Sequence, residues 1–287
     1  MLYRTLTIVS LSAAAALGAQ TSNAPTARAV IESIKQHSAV PWDEPTVDTF
    51  KAGDPDTPVT GIATTMMATF DVLKRAAAQH ANLIITHEPT FYSHEDKTDW
   101  FAAANDRVWQ QKEDFIKENH LVVWRFHDHW HTRHPDGILS GMTEALGWEG
   151  YARADMPDLF VMPVVSLRAL AKSVEERIGI KVLRVVGNPD VAVTKVALMP
   201  GAAGTQRQIQ MLRRDDVEVL VIGEVPEWET IEYVADASAE GRHKALILMG
   251  HIPSEQAGMR TCAEWLRKFI TDVPVTFVET KEFFWQP

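Results

Sequence analysis

After the first two dozen residues, apolar positions fall into two alternating rhythms along nearly the whole chain. Short runs with almost no polar interruption, at 59–68, 81–86, 121–126, 159–167, 181–187, 193–200, 217–223, 244–250 and 274–279, read as strands. Between them, 70–80, 99–119, 167–179, 205–215, 229–241 and 254–270 place apolar residues three and four apart and read as amphipathic helices. Strands that are apolar throughout, rather than at every second position, are strands covered on both faces. The alternation therefore predicts an α/β fold with mainly parallel sheet.

The chain also resembles itself. VTGIATTMMATFDVLKRAAAQHANLIITHE from Val59 and VTKVALMPGAAGTQRQIQMLRRDDVEVLVIGE from Val193 share one plan, strand, loop, helix, strand, then an acid at Glu88 or Glu224. Each copy is followed by a helix and a further strand running into a histidine, His127 or His251, with another potential ligand four residues on, His131 or Glu255. The expectation is two pseudo-symmetric, closely packed α/β halves, 29–150 and 155–287, with the site in the cleft between them. WEGYARADMPD, rich in charge and turn formers, breaks the periodicity at the expected boundary.

Three of the strands end in groups able to bind a metal ion. ANLIIT runs into His87 and Glu88, KALILMG into His251 and Glu255, and LVVWRF into His127, Asp128, His129 and His131. A strand delivers its terminal side chains rigidly to one sheet edge, where open α/β folds build their sites. Imidazoles and carboxylates together suit a hard or borderline divalent cation. The candidate ligands are His87, Glu88, His127, Asp128, His131, His251 and Glu255. In extended geometry His127, His129 and His131 would share a face opposite Asp128, so the subset that binds stays open. Glu255 falls in the first turn of the predicted last helix, with Ser254 as its candidate N-cap. Glu224, placed by the repeat opposite Glu88, is the candidate acid/base or supporting residue.

Composition narrows the partners. The chain has 287 residues, 46% of them hydrophobic, and a formal net charge of −10, with no basic stripe to attract a phosphate backbone. Nucleic acid is excluded as an expected partner. Residues 1–24 have the layout of a secretory signal peptide: Arg4, an apolar run to about Ala16, then small residues permitting cleavage after Ala19 or Ala24. The run is shorter than the ~20 residues that span a bilayer, so a periplasmic or secreted protein, free of the membrane once processed, is expected. The single cysteine, Cys262, sits at helical spacing from apolar neighbours and reads as a buried thiol.

HEP at His87–Pro89, HDHWH at His127–His131 and GHIPSE at Gly250–Glu255 together resemble the dinuclear-metal family called Nif-three-like or Ngg-interacting-factor-like, often labelled GTP cyclohydrolase 1 type 2. The likeness extends over about residues 29 to 285, through AGDPDTPV, DGILSGMTEALGW and the IGE of Ile222 to Glu224. Glu88 stands where that family has a second histidine, His131 falls in register with its aspartate, and Met67 replaces another aspartate. The resemblance implies two divalent ions (Zn, Fe or Mn) and a homo-oligomer, a ring-shaped hexamer whose metal sites face an inner cavity.

The expected function is an exported, metal-dependent hydrolase that uses a metal-bridging water on a small substrate. Nucleoside triphosphate is scarce outside the cytoplasm, so an exported protein would need another ester, amide or cyclic substrate. GAAGT at Gly201 to Thr205 is only a weak anion-binding candidate at a helix start. The alternative is a non-enzymatic metal-binding or protein-interaction role for the same ligands.

Overall fold

The computed structural model describes residues 24–287; apart from Ala24, the predicted signal segment lies outside the described residues. The strands are β1 (Phe50–Ala52), β2 (Ile62–Thr65), β3 (Leu83–Thr86), β4 (Val122–Arg125), β5 (Leu159–Ser166), β6 (Arg184–Val186), β7 (Ala192–Met199), β8 (Val219–Ile222), β9 (Ala245–Leu248) and β10 (Val275–Phe277). The α-helices are α1 (Ala27–His37), α2 (Phe70–Ala78), α3 (Asp99–Ala103), α4 (Arg107–Glu118), α5 (Asp128–His131), α6 (Gly137–Leu146), α7 (Leu167–Ile178), α8 (Thr205–Leu212), α9 (Glu232–Ala239) and α10 (His251–Leu266).

Two five-stranded sheets run in the orders β1-β4-β3-β2-β10 and β5-β7-β8-β9-β6. The centre of each is a parallel trio, β4-β3-β2 in one and β9-β8-β7 in the other, in matching order, with an antiparallel strand beside its first-named member, β1 on β4 and β6 on β9. The pseudo-symmetry of the sequence is thus a symmetry of the sheets. It fails at the opposite edges, where β10 is parallel to β2 and β5 is antiparallel to β7. The C-terminal segment 155–287 therefore does not stay on one sheet: β10 returns to complete the N-terminal one.

The apolar runs behave as two-sided coverage requires. All four residues of β2, β3, β4, β8 and β9 are buried. Leu83, Ile85, Val122 and Trp124 face α1 and α10, whereas the intervening Ile84 and Val123 face α2 and α4. In the second sheet Val219, Val221 and Ile247 pack toward α6 and α7, while Leu220, Leu246 and Leu248 pack away from them.

Several elements depart from the sequence expectation for local reasons. The predicted helix 99–119 is two helices, because Asp106 caps α4 by accepting a hydrogen bond from Trp109 N. α10 starts at His251, three residues early, on Gly250 (φ 87°) rather than on a Ser254 cap. The short β1 and the helices α1, α5 and α6 have no counterpart among the expected elements. α6 is capped by Asp136, whose Oδ1 accepts from the amides of Ile138 and Leu139.

Helices α6 and α10 form a shared layer between the sheets. Ile138 of α6 and Met259 and Cys262 of α10 belong to the N-terminal core, while Met142 and Leu146 of α6 belong to the C-terminal one. The two helices cross at glycines so closely that a Cβ on Gly141 would lie 2.7 Å from Gly258 Cα. A methyl on Gly258 would meet Ile138 Cα at 2.6 Å. Gly258→Ala is therefore expected to destabilise the fold by about 1–3 kcal/mol through overpacking, seen as a lower thermal midpoint. An unchanged midpoint would mean that this crossing does not fix the halves.

Candidate metal centre

The parallel strands of both sheets aim their C-terminal ends at one another, and the candidate ligands sit on the loops and helix starts just beyond those ends. His87 and Glu88 leave β3. His127 precedes α5 and His131 ends it after β4, and His251 and Glu255 lie in the first turns of α10 after β9. Because the tract after β4 is helical rather than extended, His127 and His131 are one turn apart on one face, as are His251 and Glu255. That period removes His129 from the cluster: it is buried, stacked on Trp42 (ring centroids 3.6 Å) and bonded through Nδ1 to Asp48 at 2.8 Å.

The rings of His87, His127 and His131 form a nearly regular triangle, with centroids 4.7, 5.0 and 4.9 Å apart. On the C-terminal side, His251 Nε2 lies 3.4 Å from Glu88 Oε1 and 3.2 Å from Glu255 Oε2. The two groups adjoin through His87 Nε2 to Glu255 Oε2, 3.6 Å, and His127 Nε2 to Glu88 Oε1, 3.8 Å. One ligand atom from each of His87, His127 and His131 falls within 4.8 Å of the others, and the same holds for His87, Glu88 and Glu255.

Every imidazole in this centre has its Nδ1 engaged. His87 Nδ1 donates to Phe126 O at 3.1 Å, and His131 Nδ1 pairs with Asp136 Oδ2 at 3.0 Å. His127 Nδ1 pairs with Asp128 Oδ1 at 2.8 Å, and His251 Nδ1 lies 3.4 Å from Glu224 Oε1. Tying one ring nitrogen fixes the orientation of the other, the arrangement that supports metal-binding histidines. Asp128, a candidate ligand, pairs one carboxylate oxygen with His127 Nδ1 and accepts with the other from Thr46 Oγ1 and Val47 N on the far side. Glu224, expected as an acid/base or supporting residue, stands beside His251 Nδ1, and the hydrogen bond to His251 holds its carboxyl below the usual range. Asp136 and Asp48 escaped the sequence reading. For Asp136 a signal existed, since Asp five residues after His131 and just before Gly137 is an N-cap pattern that can serve a second partner.

Glu88 is steered from behind by Arg125, which is fully buried at the end of β4. Its guanidinium donates to His87 O at 3.0 Å and to Glu88 Oε2 at 3.3 Å, leaving Oε1 toward His127 and His251. Burial would raise the Glu88 carboxyl, but the His251 hydrogen bond and the charges of His251, His127 and Arg125 outweigh it, and its pKa is lowered. Burial would likewise lower His251, yet the carboxylates of Glu224, Glu255 and Glu88 gathered around its ring push it up to about 12.

The observation that points to a cation concerns two atoms. Burial keeps His87 neutral, well below the ordinary histidine pKa, and the facing His127 and His131 push the same way. With its Nδ1 proton given to a carbonyl, its Nε2 presents a bare lone pair 3.6 Å from a carboxylate oxygen of Glu255. Among the described residues, neither His87 Nε2 nor Glu255 Oε2 has a hydrogen-bond partner, and both are buried. An unsatisfied buried polar atom costs about 1–3 kcal/mol, more when charged, and here two acceptors face each other. A metal ion coordinated by both removes that cost, so this His/Glu cluster fits a divalent cation.

The sequence profile of the Duf34/NIF3 family (NGG1p interacting factor 3) matches residues 27–282. The chain belongs to this family. Among solved structures it is similar to the Staphylococcus aureus hypothetical protein SA1388, with a TM-score of 0.71 and 16% identity over 92% of this chain and 99% of that one. A Bacillus cereus protein related to NIF3 matches with a TM-score of 0.70 and 14% identity, covering 92% and 98%. HcgD from Methanocaldococcus jannaschii matches with a TM-score of 0.64 and 17% identity, covering 88% and 97%. At these identities the likeness establishes the fold. No curated protein matches the sequence significantly.

Within the NIF3 fold of this chain, the loop after β7 closes the centre. Gly201 (φ 70°) brings its backbone so near that a Cβ there would collide with the Glu255 carboxylate. Its amide is held by Ser254 Oγ at 2.9 Å. Glu224→Ala, at a half-exposed side chain, is expected to weaken metal binding about 10–100-fold in calorimetric titration while leaving the thermal midpoint of the protein unchanged. Gly201→Ala is expected to displace Glu255 and lower bound metal in the purified protein; undiminished metal content would show that Glu255 is no ligand.

Proposed function

We propose that this NIF3-family protein is a dinuclear metal-dependent hydrolase of a small substrate, exported in its native host. His87, Glu88, His127, His131, His251 and Glu255 would hold two divalent cations. What carries the hydrolytic reading over storage is access. The ligands form one wall of a cleft of about 790 Å³ that reaches Glu88, His127, His131, His251 and Glu255. A cation meant only to be held would be enclosed; an open flank lets a substrate approach. The volume lies in the range of small-molecule sites, about 300–1,000 Å³.

The rest of the cleft is lined in part by Leu139, Leu198, Met199 and Pro200, with Arg207 and His94 also contributing. The apolar side chains exclude water from one flank and would pack against the substrate body. Arg207 offers a fixed positive charge to an anionic substituent. Bound divalent cations would supply Lewis-acid polarisation of a substrate oxygen and acidify an attacking water. Asp128, Asp136 and Glu224 keep three imidazoles oriented with Nε2 inward, and Arg125 keeps one oxygen of Glu88 inward, so the centre needs little rearrangement during a reaction cycle.

Export is supported by the sequence of residues 1–24. No described helix is long and apolar enough to cross a membrane. Assembly into a homo-oligomer, a hexamer by the family resemblance, is supported by exposed Phe283, Phe284 and Trp285, an apolar group that a partner copy would cover.

Elemental analysis of the purified mature protein is expected to give two equivalents of metal per chain, falling sharply in His251→Ala and Glu255→Ala. Metal content unchanged by either substitution would remove the centre. Hydrolysis of an ester, phosphodiester or cyclic amide, abolished by chelation and by both substitutions, is the expected activity. Full metal loading without turnover on any of these classes would favour a binding role instead. Sequencing the N-terminus of native material is expected to begin near Gln20 or Pro25; a chain starting at Met1 would contradict export.

A further inference from the structure

We propose that the two metal positions are chemically unlike: a position of His87, His127 and His131 that shares the Glu255 carboxylate and selects a zinc-like borderline cation, and a carboxylate position of Glu88, Glu255 and His251 that accepts a harder cation such as manganese. This rests on the dinuclear reading above and specifies which ion each position prefers.

The ligand types are unevenly distributed around the centre, with His87 Nε2 and Glu255 Oε2, 3.6 Å apart, at the join between the two positions. The triangle of rings is built from imidazoles alone, with centroid separations of 4.7 to 5.0 Å. Two of its members, His127 and His131, come from a single helical turn, and the third leaves the neighbouring strand, so one helical turn and one adjacent strand end pre-organise all three. The carboxylates gather on the other side, where Glu88 Oε1 and Glu255 Oε2 lie 3.4 and 3.2 Å from His251 Nε2. Imidazole suits zinc, copper, iron and nickel, whereas carboxylate suits magnesium, calcium and manganese.

Charge strengthens the distinction. Apart from the Glu255 oxygen shared between the positions, the three imidazoles bring no anion, so that position depends chiefly on nitrogen–metal bonding, in which zinc far exceeds manganese. The other position has two carboxylates, but Arg125 takes up Glu88 Oε2 at 3.3 Å and offsets part of its charge. Glu88 is thereby restricted to one inward oxygen, which removes chelation by both oxygens as a source of affinity. The carboxylate position should bind less tightly and be the last to fill.

The test uses the full mature protein stripped of metal, with Zn²⁺ and Mn²⁺ as probes. Calorimetric titration with Zn²⁺ is expected to resolve two equivalents differing at least about tenfold in Kd, a gap of ~1.4 kcal/mol. Protein given one equivalent of Zn²⁺ and then dialysed against Mn²⁺ should retain one of each by elemental analysis. Its Mn²⁺ electron paramagnetic resonance signal should report a single bound ion. His131→Gln should weaken the tighter Zn²⁺ equivalent by more than about a hundredfold, beyond what loss of an outer partner costs, and leave Mn²⁺ binding within threefold of wild type, about 0.7 kcal/mol. Glu88→Gln should do the reverse. Circular dichroism melting checks that each variant folds; should either fail, the wild-type titration and exchange decide alone. Two Zn²⁺ equivalents of equal affinity, or Mn²⁺ displacing Zn²⁺ from both positions, would overturn the inference and leave the dinuclear reading standing. Retention of neither ion would remove both.

Discussion

A neutral imidazole and a carboxylate facing each other inside a protein, with no proton to share, is the constraint on which this structure turns. His87 Nε2 and Glu255 Oε2 are 3.6 Å apart, buried, and without a hydrogen-bond partner among the described residues, with His251 Nε2 3.2 Å from the Glu255 oxygen. Neither can rotate away cheaply: His87 is tied to the Phe126 carbonyl, and Glu255 lies under the Gly201 loop in the first turns of α10. Folding therefore brings two acceptors together at a cost that a cation shared by both would relieve. The surrounding acids and Arg125 are arranged around that condition.

The fold's central layer enforces the meeting. The His87 and Glu255 side chains belong to different sheets' connections, and their separation depends on how one sheet sits against the other. The glycine crossing of α6 and α10 sets that distance at backbone contact, and both helices begin inside the centre: α6 with the Asp136 that holds His131, α10 with His251 itself. Packing and ligand geometry thus share two helix starts. The return of β10 to the N-terminal sheet adds a further tie between the halves.

Much of this is legible in the chain. Uninterrupted apolar runs mark the two-sided strands, and the repeat from Val59 and Val193 corresponds to the matching strand trios. The spacing of four from His127 to His131 and from His251 to Glu255 is visible as well. Its meaning is hidden at the first pair, because an extended tract after β4 would group His129 with its neighbours, and a helix as short as α5 has too few residues to show a period. Asp128 cannot be assigned from sequence because its role depends on Thr46 and Val47, some eighty residues earlier. Arg125 is hidden for the same reason: inside a strand it reads as one more residue of the run, and only the strand beside it supplies Glu88. β10 carries an ordinary strand pattern, with nothing local to say which sheet it joins.

If His87 Nε2 and Glu255 Oε2 face one another in order to share a cation, that ion should be locatable between them. Crystals of the mature protein soaked in Zn²⁺ and measured above and below the zinc absorption edge would reveal it. The expected result is an anomalous peak within bonding distance of both atoms, about 2.0–2.2 Å, with the His127 and His131 rings turned toward it. Peaks confined to surface histidines such as His120 or His243, with His87 and Glu255 unliganded, would contradict it.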